Sequence, residues 1–454
     1  MTTIPANPNA QFELDSPPAY YQYEHWPRQQ LQAYQARALQ ACRQYAYDHS
    51  PFYQRFHQGL MDRPLHELPA LTKEIIMENF DDLVTDRAIR LHDVQEYMAR
   101  ADGTRPFLDR YRVMGTSGST GRPGIFLYDR AEGPALLTSF SRALLWGGIT
   151  AADKVAVIAS TAPGHMSAQL PVIIRGQALP TFHLAATDPL AKNVQRLNEL
   201  QPDILVWYPS IAAVLTREKR EGRLTITPRS IFCSAEPLPE ERRREMAQVW
   251  GIEPFNSYST TEAGMLATEC EFHQGLHLFE DFTIVEIVDQ ENRPVPPGVT
   301  GDKILLTVLF RRAQPLIRYE MSDLLRHSAI ENCPCGRPFT LIETIQGRKL
   351  DTLHFQALQG GDVAITSDIF NSVLDMVPAT GWQVIQEPEG LRILLTGATD
   401  ALRDEHVLSS LQQALSSRDI IVPPMQVQRV DALIRNANGK AAMLISHVSQ
   451  PDSE

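Results

Sequence analysis

Residues 229–237 read RSIFCSAEP, an apolar run of strand-forming residues that stops on a small polar corner. A run this short, ended by a proline, reads as one buried strand. Working outward, VAVIAS (155–160), PVIIRG (171–176) and DILVWYPS (203–210) share its character and predict three more buried strands. Helical patterns lie between and after them, PLAKNVQRLNELQ (189–201) and PEERRREMAQVW (239–250). Strands alternating with helices predict an α/β fold whose large N-terminal domain is built on layered, mostly parallel sheet. Ligands in such sheets bind beyond the carboxyl ends of the strands. YPS (208–210) and SAEP (234–237) fall at two such ends.

Upstream, the spacing of Trp26, Leu31, Tyr34, Leu39 and Tyr45 predicts helix between Trp26 and Phe56. Downstream, HLFEDFTIVEIVD (277–289) and GDKILLTVLF (301–310) predict a β-rich, antiparallel subdomain. The last hundred residues read as a separate α+β unit. WQVIQ and LRILLTG (382–397) predict a hairpin, ATDALRDEHVLSSLQQALSS (398–417) a helix, and PMQVQRV (424–430) a strand. A boundary near Gly347–Asp351 divides the chain into domains at 1–347 and 348–454.

Composition narrows the partners. The 454 residues carry 54 acidic against 42 basic side chains, a net charge of −12. That balance disfavours nucleic acid or an anionic membrane as the main partner. No apolar stretch approaches the roughly 18 residues of a membrane helix. The first residues, MTTIPANPNAQFELDSPP, lack a basic segment followed by an apolar one, so no signal peptide is expected. Five cysteines are too few for a disulfide scaffold, and a reducing cytoplasm is the expected compartment.

Five stretches carry chemistry. GTSGSTGRPG (115–124) interleaves four hydroxyls with three glycines before Arg122. Such a loop exposes backbone N–H groups and hydroxyls to an anion such as a polyphosphate, although a plain flexible loop has the same composition. It lacks the lysine of a P-loop. The others are SAEP (234–237), YSTTE (258–262), RYEMSD (318–323), and the pair Gly347-Arg348 with NGK (438–440). Taken singly, Lys440 reads equally as a solvated charge, Asp323 as a helix cap, Tyr258 as core and Glu262 as the cap of a helix through ATEC.

In this order and spacing the stretches resemble the adenylate-forming superfamily of acyl-CoA ligases, adenylation domains and luciferases. SPFYQRF (50–56), LPALTKEIIMENF (68–80), ECE…GLH and CPCGR make the chain similar to its phenylacetate–CoA ligase branch. The resemblance covers about residues 26–445. It implies an acid–thiol ligase dependent on ATP and Mg²⁺, with a small carboxylic acid, aromatic in kind, and coenzyme A as its other substrates. The same resemblance leaves open an enzyme that passes the acyl group to a carrier protein, an amine or another nitrogen nucleophile. It also implies a homodimer and a small C-terminal lid that swings. Thr116, Ser117, Gly118, Ser119, Thr120 and Gly121 would cradle phosphates. Thr261 would donate to the α-phosphate, Glu262 would hold Mg²⁺, Asp323 would accept from the ribose, and Tyr258 with Ser234, Ala235, Glu236 and Pro237 would line the adenine slot. Lys440 would be the catalytic lysine and Arg348 a hinge contact. Ser259 stands where most relatives have glycine, and Leu350 where the hinge usually has aspartate. Trp207, Tyr208 and Phe255 are candidate walls for the acid or, equally, core. A non-catalytic nucleotide sensor or a zinc-stabilised scaffold is the reading from another class.

Cys270, His277, Cys333 and Cys335 form a further set, with His273 competing for the fourth place. Three thiolates and one imidazole make a closed, structural Zn²⁺ site. Unrelated buried thiols are the alternative. Cys42 and Cys233 read as packing residues.

Overall fold

The runs read as buried strands do line up side by side, with one exception. The computed structural model describes residues 21–100, 105–116, 124–162, 164–175, 179–343, 345, 353–365, 367–374, 377, 379, 381–398, 402–416, 418, 420–435 and 441–448. A two-stranded ribbon comes first, β1 (Tyr111–Gly115) against β2 (Ile125–Asp129). The main sheet then follows as β3 (Val155–Ala159), β4 (Thr181–Ala185), β5 (Ile204–Trp207), β6 (Ser230–Ser234), β7 (Phe255–Thr260), β8 (Gly264–Glu269) and β9 (Leu276–Leu278). Strands β4, β3, β5, β6 and β7 run parallel, and β8, β9 and the later β13 (Leu341–Ile342) extend the sheet antiparallel, in the order β13-β9-β8-β7-β6-β5-β3-β4. Every residue of β3 and β5 is buried. Continuous apolar strands are what a sheet covered on both faces requires.

The exception is PVIIRG. Pro171 to Arg175 form the second half of the helix Met166–Arg175, and the strand beside β3 is instead TFHLA at Thr181–Ala185. Short β-branched runs cannot be told from buried helix by periodicity alone. Here the helix is started by His165, whose Nδ1 accepts from the Ser167 N–H at 3.3 Å. The helices Leu190–Leu200 and Glu240–Trp250 fall where their patterns predict them. The N-terminal helical pattern splits at Ser50-Pro51 into Arg28–His49 and Pro51–Phe56, because the Ser50 side chain accepts from Tyr53 N–H and caps the second helix.

A three-stranded antiparallel sheet of β10 (Thr283–Val288), β11 (Lys303–Val308) and β12 (Tyr319–Met321) supplies the β-rich subdomain. The C-terminal lobe has β14 (Leu353–Gln356) with β15 (Asp362–Ile365), then β16 (Gly381–Glu387), β17 (Gly390–Thr396), β18 (Met425–Val430) and β19 (Leu444–Ser446) in the sheet order β18-β17-β16-β19. The β16–β17 hairpin and β18 match their predictions, and the helix runs from Asp404 to Ser416, later than its expected start. This lobe buries a core of its own, including Phe370, Trp382, Ile393, Leu395 and Leu411. The expected boundary at 347–351 lies outside the described residues.

A buried charge network locks the large body. Arg142 is fully buried on the helix Gly133–Trp146 and donates to both Asp281 oxygens, at 2.8 and 2.6 Å, and to Glu24 Oε1 at 3.0 Å. Trp146 Nε1–H donates to the other Glu24 oxygen at 2.7 Å. The guanidinium also lies over Phe279, Phe282 and Phe339. A bidentate pair with aromatic faces around it is the geometry in which a buried arginine holds segments together.

Candidate active site and cysteine–histidine cluster

The carboxyl ends of β3, β5, β6 and β7 open onto one apolar cleft. It encloses about 580 Å³, counting its mouth. Ala159, Trp207, Tyr208, Ser234, Ala235 and Ser259 come from the strand ends, and Phe140, Leu144, Met166 and Leu170 from two covering helices. Among the described residues, none that lines it is charged. Its hydroxyls already meet partners. Ser234 Oγ and Ser259 Oγ lie 3.0 Å apart, Ser257 Oγ is 2.7 Å from Thr268 Oγ1, and Tyr208 Oη accepts from Ser160 N–H at 2.9 Å. Trp207 and Tyr208 therefore line the cleft as well as the core. Phe255 does not line it; its ring stacks on Phe232 at 5.1 Å and contacts His273.

The sequence motifs gather around this cleft from several elements. Ser234 ends β6, and Ala235 turns the chain in the left-handed region at φ 71°. Such a backbone costs a non-glycine residue about 1–2 kcal/mol and recurs at functional corners. Tyr258 and Ser259 lie on β7, where the register shifts between them, and Tyr258 is 6% exposed. Thr261 and Glu262 follow β7. No helix directly follows Glu262, so it caps none; Ala267 to Glu269 of ATEC belong to β8, and Cys270 follows the strand. The corner is braced from behind by residues that the sequence reading did not single out. Tyr128 Oη–H donates to the Thr261 carbonyl at 2.8 Å, Arg311 Nη1 donates to the Glu262 carbonyl at 3.1 Å, and the Arg311 guanidinium lies 3.9 Å above the Tyr128 ring. Arg311 follows a strand like any boundary charge, and nothing local announces its burial.

Thr116 closes the base of the glycine/hydroxyl loop. Its Oγ1 accepts from Gly124 N–H at 2.8 Å, and its own N–H donates to the Gly124 carbonyl at 3.0 Å. Ser117, Gly118, Ser119, Thr120 and Gly121 lie outside the described residues, as do Arg348 and Lys440. Asp323 is 4% exposed just past β12 and is not a helix cap. Glu236 and Pro237 follow Ala235. The Glu236 carboxylate reaches the helix Pro209–Arg220, accepting from Ser210 N–H at 2.8 Å and Ser210 Oγ–H at 3.0 Å.

The cysteine–histidine set converges in the body. Ligand atoms of Cys270, His277, Cys333 and Cys335 all lie within 4.8 Å of one another. The β8–β9 turn brings Cys270 to His277, and β13 lies beside β9 with Leu341 opposite His277. Gly275 turns there at φ 117°, where a Cβ would sit 2.8 Å from the Ile342 carbonyl. Cys270 Sγ and Cys333 Sγ are 3.5 Å apart, and Cys335 Sγ is 3.6 Å from His277 Nε2. A tetrahedral Zn²⁺, with bonds of about 2.3 Å to sulfur and 2.0 Å to nitrogen, separates its ligands by roughly 3.5–3.8 Å, so the donor set fits. Burial, with help from Arg337, pulls the His277 imidazole down to about 4. Burial pushes the Cys270 and Cys333 thiols up. The imidazole is thus neutral, as a ligand must be, and the thiols need a cation to ionise. Arg337 N–H points at Cys335 Sγ at 3.5 Å, the kind of outer contact that supports a thiolate. His273 is elsewhere, with Nδ1 3.0 Å from Glu269 Oε2. Cys42 and Cys233 are buried packing residues.

The AMP-binding enzyme family matches residues 108–306 of the chain. The chain is 25% identical over 372 residues to a phenylacetate-coenzyme A ligase of Thermus thermophilus, covering 80% of each protein. Its fold is that of a 2-hydroxyisobutyryl-CoA ligase. The postadenylation state of that protein, in complex with R3-HIB-AMP, superposes at a TM-score of 0.74 with 22% identity, covering 98% of this chain and 95% of that one. The same ligase with 2-HIB-AMP and CoA in its thioesterification state superposes at 0.60 with 22% identity, covering 96% and 94%.

Proposed function

The chain belongs to the adenylate-forming enzymes and is phenylacetate–CoA ligase-like, and from that premise we propose how its residues activate a small monocarboxylic acid with ATP and pass the acyl group to coenzyme A. In the first half-reaction a carboxylate oxygen bonds to the α-phosphorus, the bond to the β-phosphate oxygen breaks, and pyrophosphate leaves. In the second a thiol sulfur, losing its proton, bonds to the acyl carbon and AMP leaves. Thr116 to Gly121 would cradle the β- and γ-phosphates, Thr261 would donate to the α-phosphate, and Asp323 would accept from the ribose. Tyr258 and the backbone of Ser234 to Pro237 would flank adenine. Charge on the phosphates makes preorganised donors the main catalytic device. Mg²⁺, held by the buried carboxylate of Glu262, would neutralise phosphate charge, and one carboxylate plus phosphate oxygens suits that ion. Lys440 would bring its ammonium to the developing charge, and Arg348 would sit at the hinge between domains 1–347 and 348–454.

The observation that carries this reading is the uncharged cleft meeting Ser234, Ala235 and Ser259 at the nucleotide motifs. Described walls that are aromatic and aliphatic, with no counter-charge among them, suit an apolar, aromatic acid rather than an amino acid or a diacid. The test is acid-dependent ATP–pyrophosphate exchange over a panel of aromatic and aliphatic acids, followed by mass spectrometry for the CoA thioester. Lys440→Ala is expected to lower exchange by about 10²-fold or more while ATP still binds; unchanged exchange refutes its role. We also read Cys270, His277, Cys333 and Cys335 as a structural zinc site.

A further inference from the structure

Glu236 is assigned to the adenine slot through its backbone, and its carboxylate is occupied elsewhere. Its Oε2 accepts from Ser210 N–H at 2.8 Å, and its Oε1 accepts from Ser210 Oγ–H at 3.0 Å and from Ala441 N–H at 3.0 Å. The first contact sits in the opening turn of the helix Pro209–Arg220, where unsatisfied N–H groups and the helix dipole favour a carboxylate. The last crosses to the C-terminal lobe and lands one residue past Lys440. A second strand of the same contact runs back: Arg435 Nη1 donates to Ser210 Oγ at 2.9 Å, and Nη2 lies 3.4 Å from the Ser210 carbonyl. Arg435 and Ala441 bracket the lysine-bearing segment, and both are tied to one point on the large body. Burial pulls the Arg435 guanidinium below its ordinary value, and the Glu236 charge opposes that fall.

We propose that Glu236 is a positioning residue for the first half-reaction, docking the small lobe on the body through Arg435 and Ala441, the described residues that flank the stretch containing Lys440 in sequence. This rests on the reading of the chain as an adenylate-forming ligase. Three donors aim at one carboxylate. Glutamine at 236 keeps the shape but offers one acceptor oxygen and an NH₂ group, so at least one donor then faces a donor. The contact spans the lobes, so any lobe rotation that opens a path for the thiol must break it. It therefore serves adenylation and not the thiol step.

The experiment compares wild type with Glu236→Gln, and with Arg435→Ala should the first variant fail to fold. Three measurements are made: pyrophosphate exchange, giving kcat and KM for ATP; thioester formation from CoA and a synthetic acyl-adenylate; and the small-angle scattering profile. Glu236→Gln should lower the exchange kcat by about tenfold, leave KM for ATP within about twofold, spare the thiol step, and shift the scattering toward a more extended particle. A raised KM with kcat intact would return Glu236 to the nucleotide slot and overturn the proposal. An equal loss in both half-reactions, or no change in exchange and scattering, would overturn it too. If wild type exchanges with no acid, the ligase reading fails, and the scattering alone then decides: an extended variant carries the docking role and an unchanged profile ends it.

Discussion

Two places in this molecule join segments remote in sequence, and they do so by opposite chemistry. Around Cys270, His277, Cys333 and Cys335, with Arg142 and Asp281 nearby, the joining groups are wholly or largely buried, and aromatic rings enclose them: Trp146 meets His277 edge-on at 5.4 Å and Phe339 at 6.1 Å. Between the lobes, Glu236, Ser210, Arg435 and Ala441 make a half-buried polar contact. Breaking the first means stranding charge or thiol in an apolar interior. Breaking the second exchanges protein hydrogen bonds for water, a net cost near 1 kcal/mol per bond. The first chemistry suits a join that holds for the life of the protein, and the second suits the proposed docking contact, which lobe rotation would break and remake.

That contrast breaks most visibly if the permanent join is attacked. Zinc stripping should have the largest effect, because structural sites contribute binding free energy on the order of 10 kcal/mol to the fold they close. The protein as purified should contain zinc, Cys333→Ser should lower its content, and a strong chelator should lower the melting temperature of the body. A zinc-free protein with unchanged melting would leave the four residues as buried thiols beside a histidine. Next comes Arg142→Ala, which strands Asp281, itself 1% exposed, without its partner. Removing one member of a buried pair costs about 3–5 kcal/mol, and urea unfolding of the body should show it. Neither change should act through the Glu236 contact, so exchange measured below the melting temperature should fall far less than stability.

The permanent parts were the more legible in the sequence. Strands β3, β5 and β6 carry continuous apolar runs, and a two-faced sheet leaves them little else to be. The cluster could be proposed because cysteine and histidine have few other uses at such spacing, though only the fold chose His277 over His273 by turning His273 onto Glu269 and Phe255. PVIIRG misled because β-branched residues fit either a buried helix or a strand. The cleft's strand ends were readable, while Phe140, Met166 and Leu170 came from helices whose inward face only packing selects. YPS was placed at a strand end, but the bridging by Ser210 and Arg435 and the bracing by Arg311 were invisible: a serine in a first turn and two arginines look alike whether they bridge lobes, brace a corner or sit in water. SAEP was read as a unit, yet Ser234 and Ala235 line the cleft and Glu236 points to another lobe.

Acid should sharpen the comparison with a smaller effect. His57 is buried in the large body against Tyr53 and Phe56, and neither ring nitrogen has a hydrogen-bond partner among the described residues. Burial chiefly, and Arg43 in addition, pull its imidazole from the ordinary 6.5 down to about 4. Unfolded chain takes up that proton as pH falls below 6.5, and folded protein does not until about 4. The stability that neutral His57 allows is therefore complete above 6.5 and is lost as pH falls from 6.5 toward 4, by up to about 3 kcal/mol. His57→Leu should flatten the pH dependence of unfolding in that window for the body. The small lobe has its own core and does not contain His57, so its unfolding should keep the same acid slope in both proteins. Equal slopes for the body in wild type and variant would clear His57, and a change confined to the small lobe would mean that acid acts on the contact between lobes instead.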